Sequence, residues 1–347
     1  MAAIGKVVSV KADNSIAAMA ADGGWLAHRY DAAGDAYHVR YLSRDAHDAA
    51  TFITDEHLAK DADITAVDRR EIADRIPNDM PLHLIIHSAF CASTMLARGF
   101  NLPGISMGLK EPVLLNDIVG LRRRGAEPQA VAERLDHALR MLSRPFGSDL
   151  AVIVKPSNVF NSLVPAALTM RPGAKAVLLY APLSVFLVSV ARKGLWCRLW
   201  CRELLEGMMT DGIVDLGFTP QDYFRQSDLQ IAAVGWLLQH QLFHRIIAQF
   251  GPDRIATIDS ERLTANPEAT TAACAKHFGL AVPDQMLQNH PAFSSHSTLG
   301  GSFNSTDRRA EHAQAAAAYG DEIEKVSIWA KAVASAARID LKLPGEI

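Results

Sequence analysis

The stretch 82–100, LHLIIHSAFCASTMLARGF, does most to limit what this chain folds into. An apolar run, Leu84-Ile85-Ile86, breaks at His87 into small and hydroxyl residues, Ser88 to Thr94. Met95, Leu96 and Ala97 then follow at helical spacing and lead to Gly99. Strand, tight loop and helix in that order offer backbone N–H groups and a helix start to an anion. Ser93 and Thr94 add hydroxyl donors where the helix begins. An ordinary βα turn with an N-cap has the same pattern, so this stretch alone leaves both readings open.

From residue 81 onward, apolar runs alternate with helical patterns. Strands are expected at 82–87, briefly at Ile105-Ser106-Met107, at 151–154, at 176–179 ending in Tyr180, and at 254–258. Helices are expected over 112–143, where Leu114, Leu115, Ile118 and Leu121, then Val131, Leu135, Leu139 and Leu142, recur at helical spacing. Further helices are expected from Pro182 to Lys193, from the start Thr219-Pro220-Gln221-Asp222 on to Phe250, and over 267–278 and 309–336. The Ser-, Gly- and His-rich stretch 290–305 reads as a loop. Strands spaced by helices predict an α/β fold, a parallel sheet flanked by helices on both faces, with ligands at the C-terminal strand ends. Residues 1–80 read differently. They offer short strands at 7–10, 37–42 and 51–54, turns at Gly23-Gly24 and Ala33-Gly34-Asp35, and a charged, helical stretch at 61–76. The expected organisation is a small β-rich N-terminal extension over 1–80 and an α/β domain over 81–347.

Composition excludes several partners. A net charge of −3 on 347 residues gives no support for a nucleic-acid coat. No apolar run approaches the length of a membrane span, and the first residues lack the apolar core of a signal peptide, so the expectation is a cytoplasmic protein without a membrane partner. Four cysteines, Cys91, Cys197, Cys201 and Cys274, fit a reducing compartment. Cys197 and Cys201 share a helix face without further ligands nearby, so they read as packing and no metal is expected. Arg122-Arg123-Arg124 reads as a solvated turn.

Polar groups gather at the expected strand ends. His87, Ser88, Ser93 and Thr94 follow one strand, and Lys155-Pro156-Ser157-Asn158 follow another. Tyr180 ends a third, with Ser189, Arg192 and Lys193 on the helix behind it, and Asp259-Ser260-Glu261 end the last. Such convergence suits an anionic ligand. Lys155, directly behind Val-Ile-Val, either snorkels to the surface or serves that ligand. The loop is not a Walker A motif, since Cys91-Ala92 stands where Gly-Lys is required.

Taken in order, these pieces resemble the sulfotransferases that use 3′-phosphoadenosine 5′-phosphosulfate, over roughly residues 82–280. Residues 88–97 resemble the family's 5′-phosphosulfate loop, and Val154-Lys155-Pro156 its Lys-Thr-Pro element. Residues 171–189 are similar to its Pro-Asp-Ala-Lys strand, Arg-Asp-Pro turn and serine-bearing helix. Ile258-Asp259-Ser260-Glu261-Arg262-Leu263 with Asn266-Pro267-Glu268 resembles its Tyr-Glu-Asp-Leu and Asp-Pro-Glu elements, and Trp236 sits where many members carry tryptophan. Phe90 stands at the loop's basic position, Ala92 at its glycine, and Tyr180 at the arginine of Arg-Asp-Pro. The resemblance implies a P-loop-like sulfotransferase fold, with that nucleotide as co-substrate and a small-molecule acceptor bearing a hydroxyl or amine. It implies a donor site of Ser88, Phe90, Cys91, Ala92, Ser93, Thr94, Ser189, Arg192 and Arg308. Glu111, or His87 beside the loop, would be the base, and Lys155 with Lys110 would stabilise the departing phosphate. Two other readings stay open: an ATP-dependent kinase needing Mg²⁺, and a non-catalytic binding module on the same fold. The segment Leu195-Trp196-Cys197-Arg198-Leu199-Trp200-Cys201 reads either as core packing or as an apolar acceptor wall.

Overall fold

The structure, a computed structural model, describes residues 15–60, 63–213, 216–293 and 305–347. Five parallel strands form its main sheet: β4 (Leu82–His87), β5 (Ser106–Lys110), β6 (Ala151–Lys155), β7 (Ala176–Tyr180) and β8 (Ile255–Asp259), in the order β5-β6-β4-β7-β8. Three earlier strands, β1 (Trp25–Asp31), β2 (Ala36–Tyr41) and β3 (Thr65–Asp68), make a separate antiparallel sheet. The apolar runs of the main sheet are buried on both faces, as strands between two helical layers must be. Ile86, Val154 and Leu178 share a core with Leu114, Leu139 and Phe243, whereas Ile85, Ile153 and Val177 share one with Leu96, Leu187 and Cys274. The chain leaves the central strand β4 toward β5 and β6 and later crosses to β7. The order therefore reverses at β4, whose C-terminal end is where a doubly wound sheet opens a crevice.

The antiparallel sheet shares a core with the larger one: Trp25, Tyr37 and Val39 belong to the same apolar cluster as Leu114 and Leu139. Buried guanidinium groups hold the two together. Arg69 is fully buried, donates to Asp35 at 2.7 and 2.9 Å and meets His137 Nδ1 at 2.6 Å. Arg144 donates to the carbonyls of Met19 and Trp25 from the other side. Removing any one partner of such a set strands a buried charge.

Several expectations for the first 80 residues are corrected. Residues 51–54 form bends, because the backbone of Ile53 is satisfied outside any ladder: its N–H donates to Lys110 O at 2.7 Å and its carbonyl accepts from Val113 N at 3.0 Å. The stretch expected to be helical at 61–76 carries β3 and then the short helix Arg69–Ala73. β1 was not anticipated, and the expected strand at 7–10 lies outside the described residues.

Further on, 112–143 splits into helices Val113–Arg123 and Pro128–Leu142 at a left-handed Gly125. Of the three arginines expected to form a solvated turn, only Arg124 is exposed. Arg123 donates to the Asp211 carboxylate at 2.7 Å, and Arg122 donates to its backbone carbonyl at 2.9 Å. The start at Thr219 has the full capping box but opens only Pro220–Arg225; Ser227 then caps a second helix, Asp228–Phe250. The last helix spans Ser305–Ala336, and of the expected loop before it 294–304 lie outside the described residues. Beyond it the chain returns to β8, where Thr257 N–H donates to Gly345 O and covers that sheet edge. Among the described residues, no helix is long and apolar enough to cross a membrane.

Candidate functional site

The loop after β4 takes its shape from three residues in the left-handed region: Ala89 (φ 72°), Phe90 (φ 53°) and Ala92 (φ 61°). Each costs about 1 kcal/mol or more without a glycine, and such strain gathers at functional loops. Backbone N–H groups turned in succession this way form an anion-binding concavity. The surroundings fix the turn. Ser88 N–H donates to Leu179 O at 3.1 Å, and Ser88 Oγ accepts from Ala181 N at 3.3 Å. Trp236 Nε1 locks Ala181 in turn through its carbonyl at 2.9 Å. The Phe90 ring packs on Phe186 and Trp200, each at 5.7 Å, and Lys193 Nζ lies 5.5 Å from its centroid. Phe90 thus draws a cation to the loop from the end of the helix Leu183–Arg192. Ser93 and Thr94 open the helix Ser93–Gly99, both largely buried. Burial pushes the Cys91 thiol up to about 11, against the pull of Lys155 and of hydrogen bonds from Ser93 and Ser88, so it stays protonated and unreactive.

Beside the loop, the ends of β5 and β6 present the other half of the site. Lys110 and Lys155 are register partners, and Glu111 follows with φ 51°, its N–H donating to Lys155 O at 2.6 Å. That left-handed residue turns the Glu111 carboxylate onto Lys155 Nζ. Lys155 is only 1% exposed, whereas the Glu111 side chain keeps 20% of its surface. Glu111 Oε1 also lies 3.9 Å from His87 Nε2. The His87 ring is engaged on both sides: Nε2 donates to Pro156 O and Nδ1 accepts from Ala89 N, both at 3.1 Å. Burial, and then the charge of Lys155, hold its pKa well below the usual histidine range. A neutral ring that spends its lone pair on the loop's own amide does not serve as a base; it holds the loop against Pro156. Asn161 steadies the same point, donating to His87 O and to Gln239 Oε1 at 3.1 Å each.

Not every candidate joins this cluster. Lys110 turns to the extension, donating to Asp48 O at 2.7 Å, and burial lowers its ammonium to about 8. Ser189 Oγ donates to Val185 O of its own helix at 2.9 Å. Arg192, exposed one residue before Lys193, shares that helix end. The Arg308 side chain lies outside the described residues. Tyr180 faces away from the loop into the opposite core, edge-on to His240 at 5.1 Å, where burial raises its hydroxyl to about 12. There it lines a 390 Å³ cleft with Trp236, Asp259, Lys331 and Lys342. Asn158, of the polar block read behind β6, is buried and has no partner for its Nδ2 among the described residues. Phe52, in the extension, places its ring 5.2 Å from Lys155 Nζ and has no motif to announce it.

No protein-family model matches the chain, and no curated protein matches it. Solved structures with distant likeness include three sulfotransferases. Sulfotransferase STF9 from Mycobacterium avium is 9% identical over 72% of this chain and 79% of that one, with a TM-score of 0.43. STF1 from Mycobacterium tuberculosis H37Rv is 15% identical over 70% and 78%, with a TM-score of 0.40. The sulfotransferase domain of the Synechococcus PCC 7002 olefin synthase is 13% identical over 69% and 95%, also at 0.40.

Proposed function

We propose that this chain is a sulfotransferase that moves a sulfuryl group from 3′-phosphoadenosine 5′-phosphosulfate to a hydroxyl or amine of a small-molecule acceptor. One observation carries the reading: a strained anion-cradling loop and a buried Lys155–Glu111 pair meet at the sheet's switch point. The loop fits the donor's 5′ end, since the amides of 90–92 and the hydroxyls of Ser93 and Thr94 supply donors to an anion, while the Ala89 amide is spent on His87. The donor supplies the sulfuryl group itself. Lys155 compensates the negative charge that grows on the departing phosphate. Glu111, the more accessible partner of that pair, takes the acceptor's proton. His87 keeps the loop in register with β6. Ser88 ties the loop to β7, and Cys91 fills its underside. Arg192 with Lys193, and Arg308 from the last helix, provide the charge at the 3′-phosphate that Tyr180, on the other face, does not.

The four cysteines are free and buried, in keeping with a reducing compartment, which we take to be the cytoplasm. Titration calorimetry with adenosine 3′,5′-bisphosphate in EDTA tests the reading. Binding without metal is expected. Binding of Mg²⁺–ATP alone would transfer the site to a kinase.

A further inference from the structure

We infer that the cleft beyond β7 is a second ligand site, built for a free α-amino acid with an aliphatic side chain. Among the described residues, neither the donor loop nor Lys155 nor Glu111 lines this cleft, so it stands apart from the proposed donor site. In the strand order the loop and the Lys155–Glu111 pair lie at β4, β5 and β6, whereas the cleft opens at the ends of β7 and β8. Tyr180 and Asp259, the register partners that end those two strands, both line it. At 390 Å³ it lies near the lower end of ligand clefts, which run from about 300 to 1,000 Å³. That size suits a molecule no larger than an amino acid.

One wall is fixed before any ligand arrives. Leu341, Lys342 and Glu346 belong to the segment after the last helix, which is pinned along its length. His244 Nε2 meets Asp340 O at 2.8 Å, and His240 Nε2 meets Leu341 O at 3.1 Å. Thr257 Oγ1 donates to Pro344 O at 3.0 Å, and Ile347 N–H donates to Thr257 O at 3.2 Å. Such a wall needs little further ordering on binding. Charges of both signs line the cleft. Lys331 and Lys342 are exposed and make no ion pair among the described residues. Asp259 is set by the helix it caps, its Oδ1 accepting from Glu261 N at 2.8 Å, and Glu346 Oε1 lies 3.8 Å from Arg262 Nη1. The apolar surface that stays open is aliphatic, from the half-buried Pro182 and Leu341, since Tyr180 and Trp236 are almost wholly covered. Two ammonium groups call for a carboxylate, two carboxylates for an ammonium, and the aliphatic wall for an apolar side chain. An α-amino acid carries all three on one small frame. A simple anion would meet Asp259 and Glu346 as like charges.

The probe is L-leucine at neutral pH, beside 4-methylpentanoate, which lacks the ammonium, and 3-methylbutylamine, which lacks the carboxylate. Calorimetry on the full chain, with and without saturating adenosine 3′,5′-bisphosphate, is expected to show leucine bound about tenfold or more tighter than either analogue and unmoved by the nucleotide. Asp259→Asn keeps a helix cap and removes a charge. It should weaken leucine about tenfold and leave 4-methylpentanoate no weaker. Lys342→Met should weaken leucine about tenfold and leave 3-methylbutylamine unchanged. Both variants should melt near wild type. Absence of leucine binding, equal binding of leucine and either analogue, or wild-type leucine affinity in either variant overturns the inference. Displacement of leucine by the bisphosphate overturns it too, because the cleft would then belong to the nucleotide.

Discussion

Replacing Lys155 separates its chemical role from its structural one. Lys155→Met keeps the stem and removes the ammonium, which leaves the Glu111 carboxylate without its ion-pair partner. Breaking a fully buried pair costs about 3–5 kcal/mol. Glu111 keeps a fifth of its surface and recovers some water, so the expected loss of stability is smaller, about 1–3 kcal/mol, as for a polar group left unsatisfied. Catalysis should lose more. Removing one preorganised charge-stabilising group costs about 10²–10³ in turnover. Urea denaturation reads the first quantity. Transfer of radiolabelled sulfuryl from the donor to a panel of small alcohols and amines reads the second. The double substitution Lys155→Met with Glu111→Gln removes both charges and should regain most of the stability while activity stays lost. Turnover within a few-fold of wild type, about 1 kcal/mol, would make Lys155 a structural strand end and refute the reasoning.

Arg192→Ala should weaken adenosine 3′,5′-bisphosphate about tenfold or more and leave adenosine 5′-monophosphate unchanged, as two titrations will show; equal losses would place its effect in folding. His47 is fully buried with neither ring nitrogen partnered among the described residues, and burial lowers its pKa to about 3. The unfolded chain therefore takes up that proton first as pH falls below the ordinary histidine range, so stability is full above it and is lost on acidification, by about 2 kcal/mol for this residue between pH 6.5 and 5. Urea denaturation of wild type and His47→Phe at pH 7.5 and 5 should show a shallower loss in the variant; identical slopes would contradict the assignment.

The main sheet was legible because a strand buried on both faces is a largely apolar run, as β4, β6, β7 and β8 are. β1 was not, because its middle carries His28 and Arg29, whose polar groups are met by Asp55 and Asp117 far along the chain. The arginines at 122 and 123 misled for the same reason, their partner Asp211 lying 88 residues away from Arg123. At the site, the order of polar groups behind strands brought Lys155, His87 and the loop together in the reading, and the family resemblance added Glu111. The backbone that joins them was hidden, since glycine normally marks left-handed turns and here Ala89, Phe90, Ala92 and Glu111 make them. The fixed tautomer of His87 depends on Pro156 O, and the reach of Phe52 depends on how Ile53 docks; neither contact has a sequence signature.

A crystal structure of the complex with adenosine 3′,5′-bisphosphate tests the central claim most directly. The account places the 5′-phosphate in the 88–94 loop, held by the amides of 90–92 and the Ser93 and Thr94 hydroxyls, with Lys155 alongside. A nucleotide seated elsewhere, such as in the Tyr180 cleft behind β7, with the loop vacant, would contradict it.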